Sequence, residues 1–226
     1  MEEDNLINHK PYMAKEYLEH EVFQVLKDFK EYYSSLSFRA FGFLSQGVER
    51  IFNIDSYILS SIEGTLDSVS LILSKGRIND AFALVRKYND AIIMDIYKSQ
   101  FIRDNHSLQN WIVKDINDWA KGEGKLPWYE TMIKKIRENE TLSPLNAFFD
   151  FDGHYMKIRR KCNNNNHYNS LAHVMLNDNS IINERRIKEL DQMSICLKDL
   201  FIMHFAYTAI INPQYISSSD YIDCLD

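Results

Sequence analysis

The residues best suited to chemistry lie in the segment His154–Asn169, which reads HYMKIRRKCNNNNHYN. Arg160 and His167 have six residues between them, so in a helix they would project from one side, because seven residues make nearly two turns. A histidine can take a proton from a ribose 2′-hydroxyl or deliver one to the leaving 5′-oxygen at neutral pH, and an arginine can stabilise charge on a phosphorane-like transition state. The pair therefore favours metal-independent cleavage of RNA.

The four consecutive asparagines between these two residues carry a separate prediction. Asparagine prefers caps and turns to helix interiors, because its side chain competes for backbone hydrogen bonds. Asn163–Asn166 therefore predicts a break in the chain, followed by a new helix whose first turn holds His167. The alternative interpretation is an exposed loop of indifferent sequence.

The stretch from Arg160 to His167 resembles the R-x(4–6)-H motif of HEPN domains, the higher eukaryote and prokaryote nucleotide-binding helical bundles. In that family the motif commonly marks metal-independent ribonucleases of toxin–antitoxin, abortive-infection and CRISPR systems, which act as dimers with two motifs facing each other. The resemblance implies that Arg160 and His167 are catalytic, that RNA is the substrate and that no cofactor is needed. Lys161 differs from the Asn, Asp or His that often follows the family's arginine, and Asn163 or Asn166 could supply that polar group.

A second likeness involves the segment from Gly76 to Asp90, which is similar to a helix of several HEPN-like families in which an acidic residue follows an arginine by four positions. The resemblance implies that Arg86 and Asp90 face the motif. An i,i+4 charge pair also has a plain structural role, worth roughly a few tenths of a kcal/mol. Both interpretations remain open from the sequence.

Other residues near the motif are candidates for binding RNA. Arg159 and Lys161 could contact phosphate, although three adjacent cations cannot all point one way on a helix, so at least one is expected to be a solvated charge. Tyr168 could hydrogen-bond in the site or pack against it. A second basic group is expected to be a solvated face or an RNA-backbone contact; it comprises Arg185, Arg186 and Lys188.

Signals for other chemistries are weak. The remaining histidines near helical segments lack metal-ligand partners at suitable spacing, so they are expected to be ordinary surface or core residues and no metal site is predicted. They are His106, His154, His173 and His204. Cys162 has no neighbouring partner that would make it a nucleophile.

Apolar residues recur at steps of three and four in several long windows, which predicts an all-α protein, a HEPN-like helical bundle in one domain spanning 1–226. The segment 104–144 contains Gly122, Gly124, Pro127 and all three tryptophans, and we interpret it as a helical insertion. The tryptophans are expected to pack this insertion onto the bundle, and stacking on nucleic-acid bases is the alternative. The segment 213–226 is expected to be a loose tail. The predicted long helices span about 15–43, 54–74, 79–101 and 183–211, and the shorter ones 108–120 and 128–138.

The composition argues against a disordered or low-complexity protein. With 45% hydrophobic and 26% charged residues, 7 Gly and 4 Pro, the chain resembles a soluble folded domain. The formal charge of −6 argues against a surface that holds nucleic acid everywhere, so any RNA contact is expected to be local. The acidic N-terminus, the short apolar runs and three unpaired cysteines predict a cytoplasmic protein without a membrane span.

These observations lead to two functional hypotheses. The first is a HEPN-like endoribonuclease, a homodimer and a host-defence or toxin component, for which an antitoxin or regulatory protein is a possible partner. The alternative is a noncatalytic helical module that dimerises or holds a partner protein or nucleotide. The acidic net charge favours this second hypothesis.

Overall fold

The computed structural model describes residues 14–50, 52–149, 151–177 and 185–217. Within these ranges the protein is all-α, as predicted, and the only β-type pairings are isolated bridges, Leu44 with Phe52 and Gly47 with Ile112. The α-helices are α1 (Lys15–Leu18), α2 (Glu21–Phe41), α3 (Ile54–Ser74), α4 (Ile78–Asn105), α5 (Lys114–Lys121), α6 (Tyr129–Glu138), α7 (Ser143–Phe148), α8 (Met156–Asn166), α9 (Leu171–Val174) and α10 (Arg185–Ile211).

The first predicted helix is divided in two, at His20. The backbone of His20 is extended, with φ −63° and ψ 140°, and its Nδ1 accepts a hydrogen bond of 3.1 Å from the amide of Val22. The histidine therefore caps α2. Tyr17 and Val22, on either side of the break, are both buried against the same core, so the apolar periodicity of the sequence continues across it. Periodicity alone could not reveal the cap.

Helices α3 and α4 form the antiparallel hairpin that the sequence predicts. Gly76 lies between them with φ +73°, a left-handed conformation that favours glycine. Lys98 near the end of α4 pairs with Asp55 at the start of α3, which fixes the antiparallel direction. α4 then continues to Asn105, four residues beyond the predicted end.

Helix α4 is the centre of the bundle, since α3, α6, α8 and α10 all pack against it. Its fully buried apolar side chains include Phe82, Val85 and Ile92, each worth about 1.5–3 kcal/mol when removed from water. A chain of polar contacts also crosses this core. It runs from Tyr88 to Tyr33 (2.9 Å), His204 (2.8 Å), Asp95 (3.0 Å) and Lys98 (2.9 Å), and then through Asp55 to Tyr215 (2.7 Å).

The segment 104–144 contributes α5 and α6 at the side of α4. Residues 108–113 are not helical, contrary to the prediction, because their backbone pairs instead with the 44–48 region: the amide of Val113 donates to Gly47 at 2.9 Å. Trp119 packs against the core, whereas Trp128 is 84% exposed. The expected packing role is therefore wrong for Trp128.

Helix α10 ends at Ile211, as predicted, and its first described residue is Arg185. Asn183 and Glu184, the predicted start, lie outside the described residues, as do 218–226 of the predicted tail. In the described part of the tail, Tyr215 is buried and accepts a hydrogen bond of 2.7 Å from Asn53. By length and composition α10 would suit a membrane span, but half of its most apolar stretch is buried within the bundle.

Candidate functional site

The site is organised by helix α8, which follows a single π-helical turn at Phe151–Tyr155. Ile158, Cys162 and Asn165 are buried, and their spacing of four and three residues makes them one face of the helix. That face packs against α4. The opposite face therefore carries Arg160 and His167, both of which are exposed.

The asparagine run does not break the helix, which corrects the prediction. Asn163–Asn166 form the last turn of α8, and His167 is its C-cap, with its amide donating to the carbonyl of Asn163 at 3.0 Å. The side chain of Asn165 donates to the Lys161 carbonyl at 3.0 Å within the same helix, so its local hydrogen bonding is compatible with helical backbone. The break comes at Tyr168, whose φ of 49° is left-handed and whose ring is exposed.

Arg160 and His167 lie on one side of α8. Seven helical residues turn the chain by about 700° and advance it about 10.5 Å, so the two side chains point within about 20° of each other. Among the described residues, neither side chain has a hydrogen-bond or ion-pair partner. Both are thus available to a ligand that spans two turns of the helix.

The cations on either side of Arg160 have partners in the protein. Arg159 lies over the ring of Tyr129, 3.9 Å from its centroid, and pairs with Glu130 at 3.1 Å. Lys161 pairs with Glu189 of α10 at 2.9 Å. RNA contacts by Arg159 and Lys161 remain predictions, and Arg160 is the member of the trio whose charge is not balanced by a described carboxylate.

The structure brings Arg86 and Asp90 of α4 against α8. Arg86 donates from Nη1 to Oδ1 of Asn163, and its Nε lies 3.5 Å from Asp90. Asp90 is in turn 3.6 Å from Nε of Arg159. Burial raises the pKa of Asp90, opposed by the charges of Arg159 and Arg86. This network holds α8 in register on α4. Asn166, the other asparagine considered from the sequence, is exposed and has no described side-chain contact.

A cationic pocket of about 290 Å³ opens between α8, α9 and α10. Four cations line it against one carboxylate, Glu189, which pairs with Lys161 and with Arg185 at 3.2 Å. Counted over the described residues that line it, the pocket has a net formal charge of plus three with neutral histidine, and it suits an anion. Its lining comprises Lys157, Arg160, Lys161, Asn164, Asn165, His173, Arg185 and Glu189.

The pocket contains residues that the sequence did not assign to the site. His173 lines it together with Arg160, and its Nδ1 lies 3.0 Å from the hydroxyl of Ser170. Lys157 and Asn164 are three residues before and four residues after Arg160, so helical spacing could have identified them. His173 could not be identified in this way, because the chain turns at Tyr168 before reaching it.

The second basic group divides between two roles. Arg185 lines the pocket, whereas Arg186 is 2% exposed, donates to the carbonyl of Gly76 and lies over the ring of Tyr17 at 5.7 Å. Burial raises the pKa of Tyr17 to about 12. Arg186 therefore belongs to the core and is not available to a nucleic acid, while Lys188 is exposed.

The geometry of the described residues favours neither a cysteine nucleophile nor a metal site. Burial raises the pKa of the Cys162 thiol well above its ordinary value, so the thiol is a poor nucleophile. In the part of the chain that the structure describes, no group of three or more His, Cys, Asp or Glu residues is placed to hold a metal ion. Comparison with protein-family models, curated proteins and solved structures finds no match to this chain.

Proposed function

We propose that this chain is a HEPN-like, metal-independent endoribonuclease that cleaves RNA by attack of a ribose 2′-hydroxyl on the adjacent phosphodiester. The cationic pocket carries the proposal. Arg160 lies in it without a described carboxylate partner, His173 shares its wall, and His167 stands on the same face of α8. A phosphodiester would balance the charge of Arg160 while its neighbouring ribose lies beside an imidazole.

The proposed reaction needs one proton acceptor and one proton donor. One histidine takes the proton of the 2′-hydroxyl as the 2′-oxygen attacks phosphorus, and the other donates a proton to the 5′-oxygen as the P–O5′ bond breaks. Arg160 binds the non-bridging oxygens, where charge accumulates in the transition state. The products are a 2′,3′-cyclic phosphate and a 5′-hydroxyl end.

The likeness to HEPN domains adds the biological setting of the proposal. The protein would act in the cytoplasm as a homodimer, with the motif of one subunit facing that of the other, as a host-defence or toxin component restrained by an antitoxin or regulatory protein. The acidic net charge of −6 is compatible with this role, because four cations line one pocket against a single described carboxylate. RNA would be held at that pocket and repelled elsewhere.

The test is incubation of purified protein with total RNA in EDTA, followed by end-group analysis of the fragments. We expect the wild type to leave cyclic or 3′-phosphate ends, and Arg160→Ala and His167→Ala to lose about 100-fold or more of the rate. Lys114→Ala is the matched control, since it removes an exposed cation on α5 and should leave the rate unchanged.

Two results would contradict the proposal. Cleavage that survives both Arg160→Ala and His167→Ala would show that the assigned site is wrong, and cleavage abolished by EDTA would exclude a metal-independent reaction. His173→Ala tests the second histidine of the proposed reaction. Because the proposed reaction uses one histidine as proton acceptor and the other as donor, His173→Ala should also lose activity, and full activity in His173→Ala would remove His173 from the reaction.

A noncatalytic binding or dimerisation module is the second candidate, and exposed aromatic side chains favour it. Phe41 and Phe52 stack with centroids 5.0 Å apart although each is about half exposed, and Phe38 and Leu44 nearby in the chain are 81% and 77% exposed. Such apolar surface is typical of a protein interface. RNA binding that weakens with salt would favour the ribonuclease, and absence of any RNA binding would favour the module.

A further inference from the structure

A second cavity lies at the other end of α4 and plays no part in the proposed reaction. It has a volume of about 840 Å³, within the range of small-molecule sites. One face of α4 lines it with Ser99, Ile102, Arg103 and His106. Arg103 is 17 residues from Arg86, which contacts α8 through Asn163, so the two arginines lie about 25 Å apart along the axis of α4.

The mouth of this cavity carries a cation that no described carboxylate balances. The guanidinium of Arg103 is exposed, and its described contact is a hydrogen bond of 2.9 Å from Nη1 to the carbonyl of Ile210. This contact anchors one edge of the guanidinium and leaves its other donors to a ligand. A guanidinium fork matches the two oxygens of a carboxylate.

The inner wall limits the charge that the cavity can accept. Asp55 is 9% exposed and is engaged on both oxygens, by Lys98 and by the hydroxyl of Tyr215 at 2.7 Å. Its negative charge would repel a dianion more than a monoanion. Among the described lining residues, Arg103 is the one arginine or lysine, and it lies opposite the carboxylate of Asp55, which together favour a ligand with one negative charge held at Arg103.

The remaining lining is part apolar and part polar, and it favours a ligand with a flat apolar ring and a polar far end. Phe43 and Tyr215 contribute rings whose centroids are 5.3 Å apart, and Ile102 and Ile211 also line the cavity. The hydroxyl of Ser99 is buried and has no hydrogen-bond partner among the described residues. A buried hydroxyl without a partner is costly, and a ligand group that reaches the wall at Ser99 could provide one.

We propose that this cavity is a binding site for a small aromatic carboxylate, whose acid group pairs with Arg103 and whose ring lies between the apolar walls. The site is independent of the proposed ribonuclease activity. It accounts for the unbalanced cation at the mouth, for the aromatic wall and for the unpartnered hydroxyl of Ser99.

The experiment measures binding of 6-hydroxy-2-naphthoate to the whole chain by isothermal titration calorimetry. The uncharged 6-hydroxy-2-naphthamide has the same ring and hydroxyl and serves as the matched ligand. We expect the carboxylate to bind at least about tenfold more tightly than the amide, and Arg103→Gln to remove that difference. Arg103→Lys keeps the charge and should retain part of the preference.

Lys27→Gln is the control variant, because Lys27 is an exposed cation of α2 that lines neither the cavity nor the cationic pocket, and this variant should bind the naphthoate as the wild type does. Circular dichroism melting of each variant establishes that it is folded. The proposal is overturned if the carboxylate fails to saturate the wild type at millimolar concentration. It is also overturned if Arg103→Gln binds the carboxylate as tightly as the wild type, or if Lys27→Gln rather than Arg103→Gln abolishes binding.

Discussion

The charge balance of the cationic pocket predicts opposite effects for two substitutions in one wall. Arg160→Ala removes one of the four cations, whereas Glu189→Gln removes the one carboxylate and keeps its shape. The net formal charge of plus three in the wild type would therefore fall to plus two in the first variant and rise to plus four in the second. Neither substitution alters the apolar core of the bundle.

The expected magnitudes follow from counterion release on single-stranded RNA. The logarithm of affinity falls with the logarithm of salt with a slope of about −0.7 for each phosphate neutralised. Between 50 and 200 mM salt, affinity should then drop about 18-fold for the wild type, about 7-fold for Arg160→Ala and about 50-fold for Glu189→Gln. Cations outside the pocket would shift all three values together and leave their order unchanged.

The assay is fluorescence anisotropy with a labelled RNA oligonucleotide in which every ribose is 2′-O-methylated. Methylation blocks the attacking oxygen, so that binding is measured without cleavage. Lys114→Ala again serves as the control and should share the wild-type slope. Equal slopes for the three proteins would refute the reasoning, as would weaker binding by Glu189→Gln at low salt, because loss of the carboxylate would then fail to raise the positive charge of the pocket lining.

Three further predictions concern the core. Lys98→Met would leave Asp55 and Asp95 buried without their shared cation and should lower the free energy of unfolding in urea by about 3–5 kcal/mol, whereas the exposed Lys27→Met should change it by less than about 0.5 kcal/mol. Burial would raise the pKa of Asp95, but Lys98 and His204 lower this pKa overall. The contribution of Asp95 to stability is therefore present above the ordinary carboxyl range and is lost as the pH falls below that range. The free energy of unfolding, measured from pH 6 to pH 2, should depend less on pH in Asp95→Asn than in the wild type. In a variant with both Cys196→Ser and Cys224→Ser, the remaining thiol is Cys162, and a disulfide reagent such as DTNB should react with it in urea and not in the native protein, because Cys162 is buried. Rapid labelling of the native variant would contradict this position.

The sequence was sufficient for the helices whose apolar periodicity is uninterrupted. Residues 54–74 were predicted with their observed bounds, because a buried stripe and a following glycine are both local signals. The break at His20 and the non-helical stretch before α5 were missed. Each depends on a hydrogen bond that periodicity cannot register: the side-chain cap on Val22 and the pairing of Val113 with Gly47.

The candidate site divides in the same way. Arg160 and His167 could be selected from the sequence, since their types and their separation of seven positions are written in the chain. The sequence could not show which of the three adjacent cations keeps an unbalanced charge. Asp90 and Glu130 reach Arg159 from other helices, and Glu189 reaches Lys161 from α10.

What the sequence by itself determined is the long helices with uninterrupted apolar periodicity and the residue types and spacing of Arg160 and His167, because both depend on residues close along the chain. Tertiary structure decided which charges remain unbalanced. It brought His173 and Arg185 to Arg160, and it placed Arg103 at the mouth of a separate cavity. The physical reason is that charge balance and burial depend on neighbours in space, and packing brings together side chains that are far apart in the chain.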